Sequence, residues 1–199
     1  FMLIPSFTAM FGRSALPQIA GAWTLGNRKE FERKVTVVLR SNFVIGFPLY
    51  LGLSAMSRQI LEFLFTGRQQ EVTVSATSLF ILGLGGVFLT LSSTFISIFQ
   101  VIGRSDLPVK LMLPGCAVKL IFNVFTISVP AININGAAVS TVIMYAAVAL
   151  GGYFALENVT GIDFHIIRRM AVPLSAGVVC AVVSRIVYGF VGESVNAVT

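Results

Sequence analysis

The sequence predicts an all-α integral membrane protein, a polytopic bundle of about six transmembrane helices, and three observations carry that expectation. Of the 199 residues 56% are hydrophobic and only 11% charged, and the mean hydropathy is +0.90, far from the balance of a soluble domain. Apolar runs recur at the length of about 20 residues that a helix needs to cross a hydrocarbon core of about 30 Å. Short links between the runs carry most of the Lys and Arg, and they do so in alternation.

Taken in order, the first expected span is about 1–23, with Pro5, Arg13 and Pro17, followed by a helical, amphipathic segment at the membrane surface, Leu25 to Lys34. The second is about 35–56, with Arg40, Asn42 and a kink expected at Pro48, because proline removes a backbone donor inside the helix. A mixed link, 57–71, leads to a third span of about 72–102, long enough to tilt or to project beyond the bilayer. A tight basic turn, Gly103 to Pro108, precedes the fourth span, about 109–130, which folds back at Pro130 to Gly136 into the fifth, about 136–156. Together 1–156 form the main bundle, and 157–199 supply a linker and a peripheral sixth span of about 170–191, with Pro173 and Arg185. Residue 1 falls directly on an apolar run with no basic region before it, so the chain is expected to be the C-terminal part of something longer.

Charge sets the topology. Links 24–34, 103–110 and 157–169 hold eight cations, Arg28, Lys29, Arg33, Lys34, Arg104, Lys110, Arg168 and Arg169; link 57–71 holds two, Arg58 and Arg68, and turn 131–135 none. Positive residues stay in the cytoplasm, which places the first set inside and the Pro130 to Gly136 turn outside. The net charge of +6 is thus a topological signal, and nucleic acid is not a partner class. The Asn-Val-Thr sequon at Asn158 falls on the cytoplasmic side and reads as chance.

Polar residues at membrane depth are the candidates for function. Lys119 lies within the fourth span, where a charge costs about 2.5 to 3.5 kcal/mol and each large apolar residue returns about 0.3 to 0.6. It either faces substrate or water, or holds a neighbouring helix through its long stem. Asn123, one turn on, shares its face and either bonds its neighbours or joins Lys119 at a bound ion or head group. On the third span Thr90, Ser93, Thr94, Ser97 and Gln100 recur at helical spacing towards Arg104, as a packing stripe or as the wall of a path. Arg13 and Arg185 are further deep cations, with Arg185 and Arg40 able to snorkel. Gly83, Gly85 and Gly86 and the pairs Gly136/Ser140 and Ala137/Thr141 read as packing residues. All eight carboxylates fall in links or at helix ends, so the deep charge is positive and suits an anionic ligand. Cys116 and Cys180 lie in apolar runs without ligand spacing, and His165 sits in a link near Asp163. No metal site, cofactor or enzyme signature is expected.

Several stretches together resemble a known family: LPQIAGAWTLGNRKEFERKVTVVLRSNFVIGFPLYLGL, ILEFLF, VIGRSDLPVKLMLPGCAVKLIFN and INGAAVSTVIMY. Within them Pro17-x-Ile-x-x-Ala22, Gly46-Phe-Pro48, Gly103-x-x-x-x-Pro108, the Lys119/Asn123 pair and Asn135-Gly-Ala-Ala-x-x-Thr141 stand in order. They are similar to the stage V sporulation protein B and MurJ-type lipid II flippases of the multidrug/oligosaccharidyl-lipid/polysaccharide exporter superfamily, over about residues 10 to 150. The resemblance implies most of the second lobe of a MATE/MurJ-like transporter in a bacterial cytoplasmic membrane. It implies flipping, by alternating access, of a polyprenyl-pyrophosphate-linked saccharide such as lipid II or a related polysaccharide precursor. The partners it implies are that lipid-linked oligosaccharide, membrane lipids and an N-terminal lobe absent from these residues. The substrate-facing set on this reading is Arg13, Ser93, Ser97, Gln100, Lys119 and Asn123. Some members build a sodium site on the helix corresponding to the fourth span; Lys119 and Asn123 stand there without a carboxylate, which suggests the Lys119 ammonium in place of the ion. A multidrug/cation antiporter needs a deep carboxylate that this sequence lacks, and a membrane-embedded glycan transferase needs paired acids or His/Arg clusters outside. A structural membrane subunit is the remaining alternative.

Overall fold

The computed structural model describes residues 15–65, 69–127, 133–162 and 173–186. Every regular element among them is an α-helix: α1 over 15–24, α2 Arg28–Ala55, α3 Ser57–Leu64, α4 Gln69–Val101, α5 Asp106–Ile127, α6 Asn133–Thr160 and α7 Pro173–Ile186. Four stretches are long and apolar enough to cross a membrane: Arg28–Ala55, Ser75–Val101, Asp106–Thr126 and Asn135–Thr160. They match the second to fifth expected spans. The first and sixth fall partly outside the described residues, where Arg13, Asp163 and His165 also lie.

Residues 28–34 are helical, as expected of the surface segment, but they are not separate from the second span: the link shrinks to Leu25, Gly26 and Asn27, and α2 runs unbroken from Arg28 for 28 residues. The cause is local chemistry. Gly26, at φ +66°, ends α1 in the left-handed region that glycine enters freely. Its N–H bonds Trp23 O while that of Asn27 bonds Ala22 O, a Schellman ending. Asn27 then caps α2, its Oδ1 accepting from Glu30 N at 3.2 Å. Glu30 in turn pairs with Lys34 at 2.7 Å, a bond that holds its carboxyl below the usual range. The mixed link 57–71 contains a helix of its own, α3, with Arg58 and Glu62 paired one turn apart at 2.7 Å.

Helix α4 is the centre of the described bundle, packed against α2, α3 and α6. Its glycines make room. A Cβ on Gly86 would stand 2.0 Å from the Tyr50 ring, one on Gly83 would meet the Ser54 backbone at 2.9 Å, and one on Gly85 would meet Val142 at 2.4 Å. Gly83 and Gly86 therefore admit α2, and Gly85 admits α6. From α2, Gly46 returns the contact against Thr90, one turn along from Phe43 stacked on Phe47 at 5.1 Å. An apolar cluster of Ile19, Phe31, Val35, Phe43, Phe47, Phe95, Ile98, Phe99 and Leu156 closes the α1, α2, α4 and α6 junction.

A second Schellman ending turns α4 into α5. Gly103, at φ +79°, bonds Gln100 O, and Arg104 N bonds Phe99 O at 2.9 Å. Helices α5 and α6 then form an antiparallel hairpin with a legible register. Leu111 meets Gly151, Gly115 meets Val148, Asn123 meets Ser140 and Thr126 meets Gly136, pairs whose residue numbers all average 131 or 131.5. Helix α7 docks on α2 through Gly177, whose missing Cβ would lie 3.3 Å from the Phe47 carbonyl. Arg185 Nε donates to Ala55 O at 3.4 Å, supplying a cation at the α2 C-terminus.

Candidate functional site

The polar stripe of α4 divides into two parts. Thr90 and Thr94, each 2% exposed, turn towards α2: Asn42 Nδ2 donates to Thr94 Oγ1 at 2.9 Å, and both threonine hydroxyls donate back to carbonyls of their own helix. That part is packing glue. Ser93 and Ser97 are half-buried and Gln100 exposed. By helical phase Ser93 and Gln100 occupy the side of α4 turned neither to α2 nor to α6 nor to the apolar cluster, and Ser97 stands at its border with α2. The hydroxyls of Ser93 and Ser97 donate to Thr90 O and Ser93 O, and each retains lone pairs to offer.

Sequence reasoning missed two interhelical links. The hydroxyl of Ser92, 1% exposed, lies 2.8 Å from Phe88 O of its own helix and 3.0 Å from Tyr145 O of α6, and its single proton is shared between them. Ser78 donates to Asn135 Oδ1 at 2.8 Å. Ser92 sits off the stripe, so its spacing carried no signal; the Ser78 link joins residues 57 positions apart, beyond the reach of periodicity.

Helix α5 carries the deep cation. Lys119 is half-buried beside the seam with α6 and makes no hydrogen bond or ion pair with a described residue. The hairpin register sets it level with Ile143 and Met144, so no carboxylate of α6 stands across from it. Asn123, on the same face, accepts from the Ser140 hydroxyl at 2.5 Å, which fixes its Oδ1 on α6 and leaves the amide N–H groups to face elsewhere. Gly136 packs on Thr126, as expected of a packing residue, whereas Ala137 is exposed. The α5 span is only 11% buried, against 56% for α4. Asn123 is thus held by α6 and Lys119 by no described residue, on a helix whose outer flank the other described helices leave largely uncovered.

Described carboxylates stay near helix ends: Glu30 and Glu32 open α2, Glu71 opens α4, Asp106 opens α5, Glu157 closes α6, and Glu62 lies on the short α3. Asp106 is held below the usual carboxylate range by hydrogen bonds from Lys110, at 3.0 Å, and Arg104, at 3.3 Å. Among the described residues no three His, Cys, Asp or Glu side chains gather as metal ligands. The electrostatic content at membrane depth is therefore cationic and amide-rich, suited to an anion.

Comparison with known proteins gives this arrangement a family. The model of a family described as lipid II flippase MurJ matches residues 3–197. The chain is 29% identical over 143 residues, 72% of its own length and 27% of the relative's, to an uncharacterized membrane protein of Methanocaldococcus jannaschii. It is 22% identical over 193 residues, 96% of its own length and 35% of the relative's, to the lipid II flippase MurJ of Bacillus subtilis. It thus spans about a third or less of these curated relatives. No solved structure matches it. The family match runs nearly from end to end, four of the described helices have the length and composition of membrane spans, and the chain is a multi-pass membrane protein that belongs to the MurJ lipid II flippase family.

Proposed function

We propose that the full protein moves a polyprenyl-pyrophosphate-linked saccharide, lipid II or a related precursor, from the inner to the outer leaflet of the cytoplasmic membrane by alternating access. This chain contributes one wall of the path. Lys119 attracts the pyrophosphate, Asn123 donates amide N–H bonds to its oxygens, and Ser93, Ser97 and Gln100 line the opposing α4 side. Arg13 belongs to the same set by sequence and lies outside the described residues.

The observation that carries the reading is Lys119 itself: a cation kept at membrane depth without a carboxylate partner among the described residues. A lysine serving only to join helices is expected to reach a carbonyl or an acid, and no such bond forms with a described residue. In a low-dielectric cavity a free ammonium binds a phosphate oxygen far more strongly than in water. The flank that α6 leaves uncovered supplies the access such a ligand needs. On this reading the Lys119 ammonium takes the place of a coupling cation, and transport is expected to proceed without sodium.

The test is complementation with the complete gene in a bacterium depleted of its own lipid II flippase, comparing wild type with Lys119→Met at matched membrane levels. Rescue by wild type alone supports both the activity and the role of Lys119. Rescue by both keeps the flippase and assigns Lys119 to packing. Absence of rescue by well-expressed wild type contradicts lipid II as the substrate.

A further inference from the structure

Where α1 meets α2 the surface carries an open groove of about 300 Å³ lined by Ala15, Gln18, Arg33, Lys34, Val37 and Val38. Its two ends differ chemically. Lys34 is anchored at one end, bonded to Glu30 at 2.7 Å and to Gln18 O at 3.2 Å. Arg33 beside it is exposed and makes no hydrogen bond or ion pair with a described residue. The other end is apolar, with Val37 57% exposed and Val38 buried.

Its depth follows from the length of α2. Its 28 residues span about 42 Å at about 1.5 Å per residue, some 12 Å more than a hydrocarbon core of about 30 Å. The excess falls at the polar N-terminal end, Arg28 to Lys34, which holds four cations and two carboxylates. Trp23, tilted against Phe31 at 5.0 Å, stands at the same end, as aromatic side chains do at the headgroup level. Arg33 and Lys34 therefore lie among head groups, and Val37 and Val38 one turn deeper, at the start of the acyl region.

The geometry points to a site for an anionic phospholipid: its phosphodiester rests on the Arg33 guanidinium and the Lys34 ammonium, and its first acyl carbons run along Val37 and Val38. A guanidinium presents paired donors to a phosphate, and the inner leaflet is the anionic one, which agrees with the side that the basic links occupy. A soluble phosphate has no use for the apolar end, and a zwitterionic lipid adds a cation beside Arg33. The site is separate from Lys119 and stands on the depth of α2 alone, whatever the protein transports.

The experiment is a titration of the detergent-purified full-length protein with phosphatidylglycerol or phosphatidylcholine, read by native mass spectrometry. Wild type is expected to prefer phosphatidylglycerol, and Arg33→Gln/Lys34→Gln to bind it about ten- to thirtyfold more weakly, two surface cations having been removed. The charge-matched control Lys29→Gln/Lys110→Gln is expected to bind like wild type. Should the double variant fail to fold, Val37→Asp places a like charge at the exposed wall and is expected to expel the lipid. Equal binding of the two lipids, equal loss in the control, or unchanged binding in the groove variants overturns the site. One-for-one displacement by a polyprenyl diphosphate also overturns it, by making the groove a substrate entry.

Discussion

At the residue scale, the consequential side chains are those held on one side only. Asn123 is fixed by Ser140 and Lys119 by none of the described residues, so removing each should act differently. Ser140→Ala frees Asn123 to rotate; membrane hydrogen bonds average about 0.6 kcal/mol and reach about 1.7. A modest loss of thermal stability in detergent is expected, with transport falling by more than stability alone explains. Stability and transport falling in proportion assigns the pair to packing. Gly86→Val, by contrast, drives side-chain carbons into the Tyr50 ring and is expected to cost about 1 to 3 kcal/mol, measurable as a lower melting temperature; an unchanged melting temperature would show that α2 and α4 are not so closely packed. The deep cation and its amide neighbour were legible in the sequence because a charge in an apolar run stands out. The half-blocked stripe on α4 was not, because spacing alone cannot tell Thr94, bonded to Asn42, from Ser93.

At the element scale, the four long helices follow the apolar runs, since a run of that length leaves backbone groups no other way to be satisfied in lipid. The surface segment is helical as its sequence suggests, but periodicity did not show that it continues into the second span as one helix, which starts at the Asn27 cap and carries the Glu30–Lys34 pair in its polar first turns. Helix α3 escaped because eight residues are too few for a periodic signal. The α4–α5 turn depends on Asp106, whose carboxyl is shifted down by Lys110 and Arg104. Its contribution is complete above the usual carboxylate range and is lost only as pH falls through the lowered value. Asp106→Asn should therefore lower stability at neutral pH and leave it unchanged in strong acid. Melting curves at both pH values measure it; an equal effect in strong acid contradicts the ion pairing. The inside–outside assignment is tested by a membrane-impermeant maleimide, after Cys116 and Cys180 are replaced by Ala. Leu25→Cys, at a site 82% exposed, should react from the cytoplasmic side only and Phe65→Cys, 53% exposed, from the outside only. Reaction from the same side breaks the alternation.

At the scale of the whole molecule, the chain is a helical bundle with α4 at its centre and α5 at its open flank. The order of helices was readable from composition and the basic links, whereas the α5–α6 register came only from the structure, where small residues meet large ones across the seam. In the proposed transport cycle that flank turns a cationic wall to an anionic lipid-linked substrate, and the wall works only within the complete protein. The most direct measurement reconstitutes the full-length protein in liposomes holding a polyprenyl-pyrophosphate-linked saccharide. It follows how fast the sugar becomes accessible to an impermeant probe outside, for wild type, Lys119→Met and Lys119→Arg. Rapid exposure is expected with wild type, a loss of tenfold or more with Lys119→Met and substantial retention with Lys119→Arg. Exposure by Lys119→Met at the wild-type rate, in vesicles of equal protein content, would contradict a substrate-binding role for the deep cation.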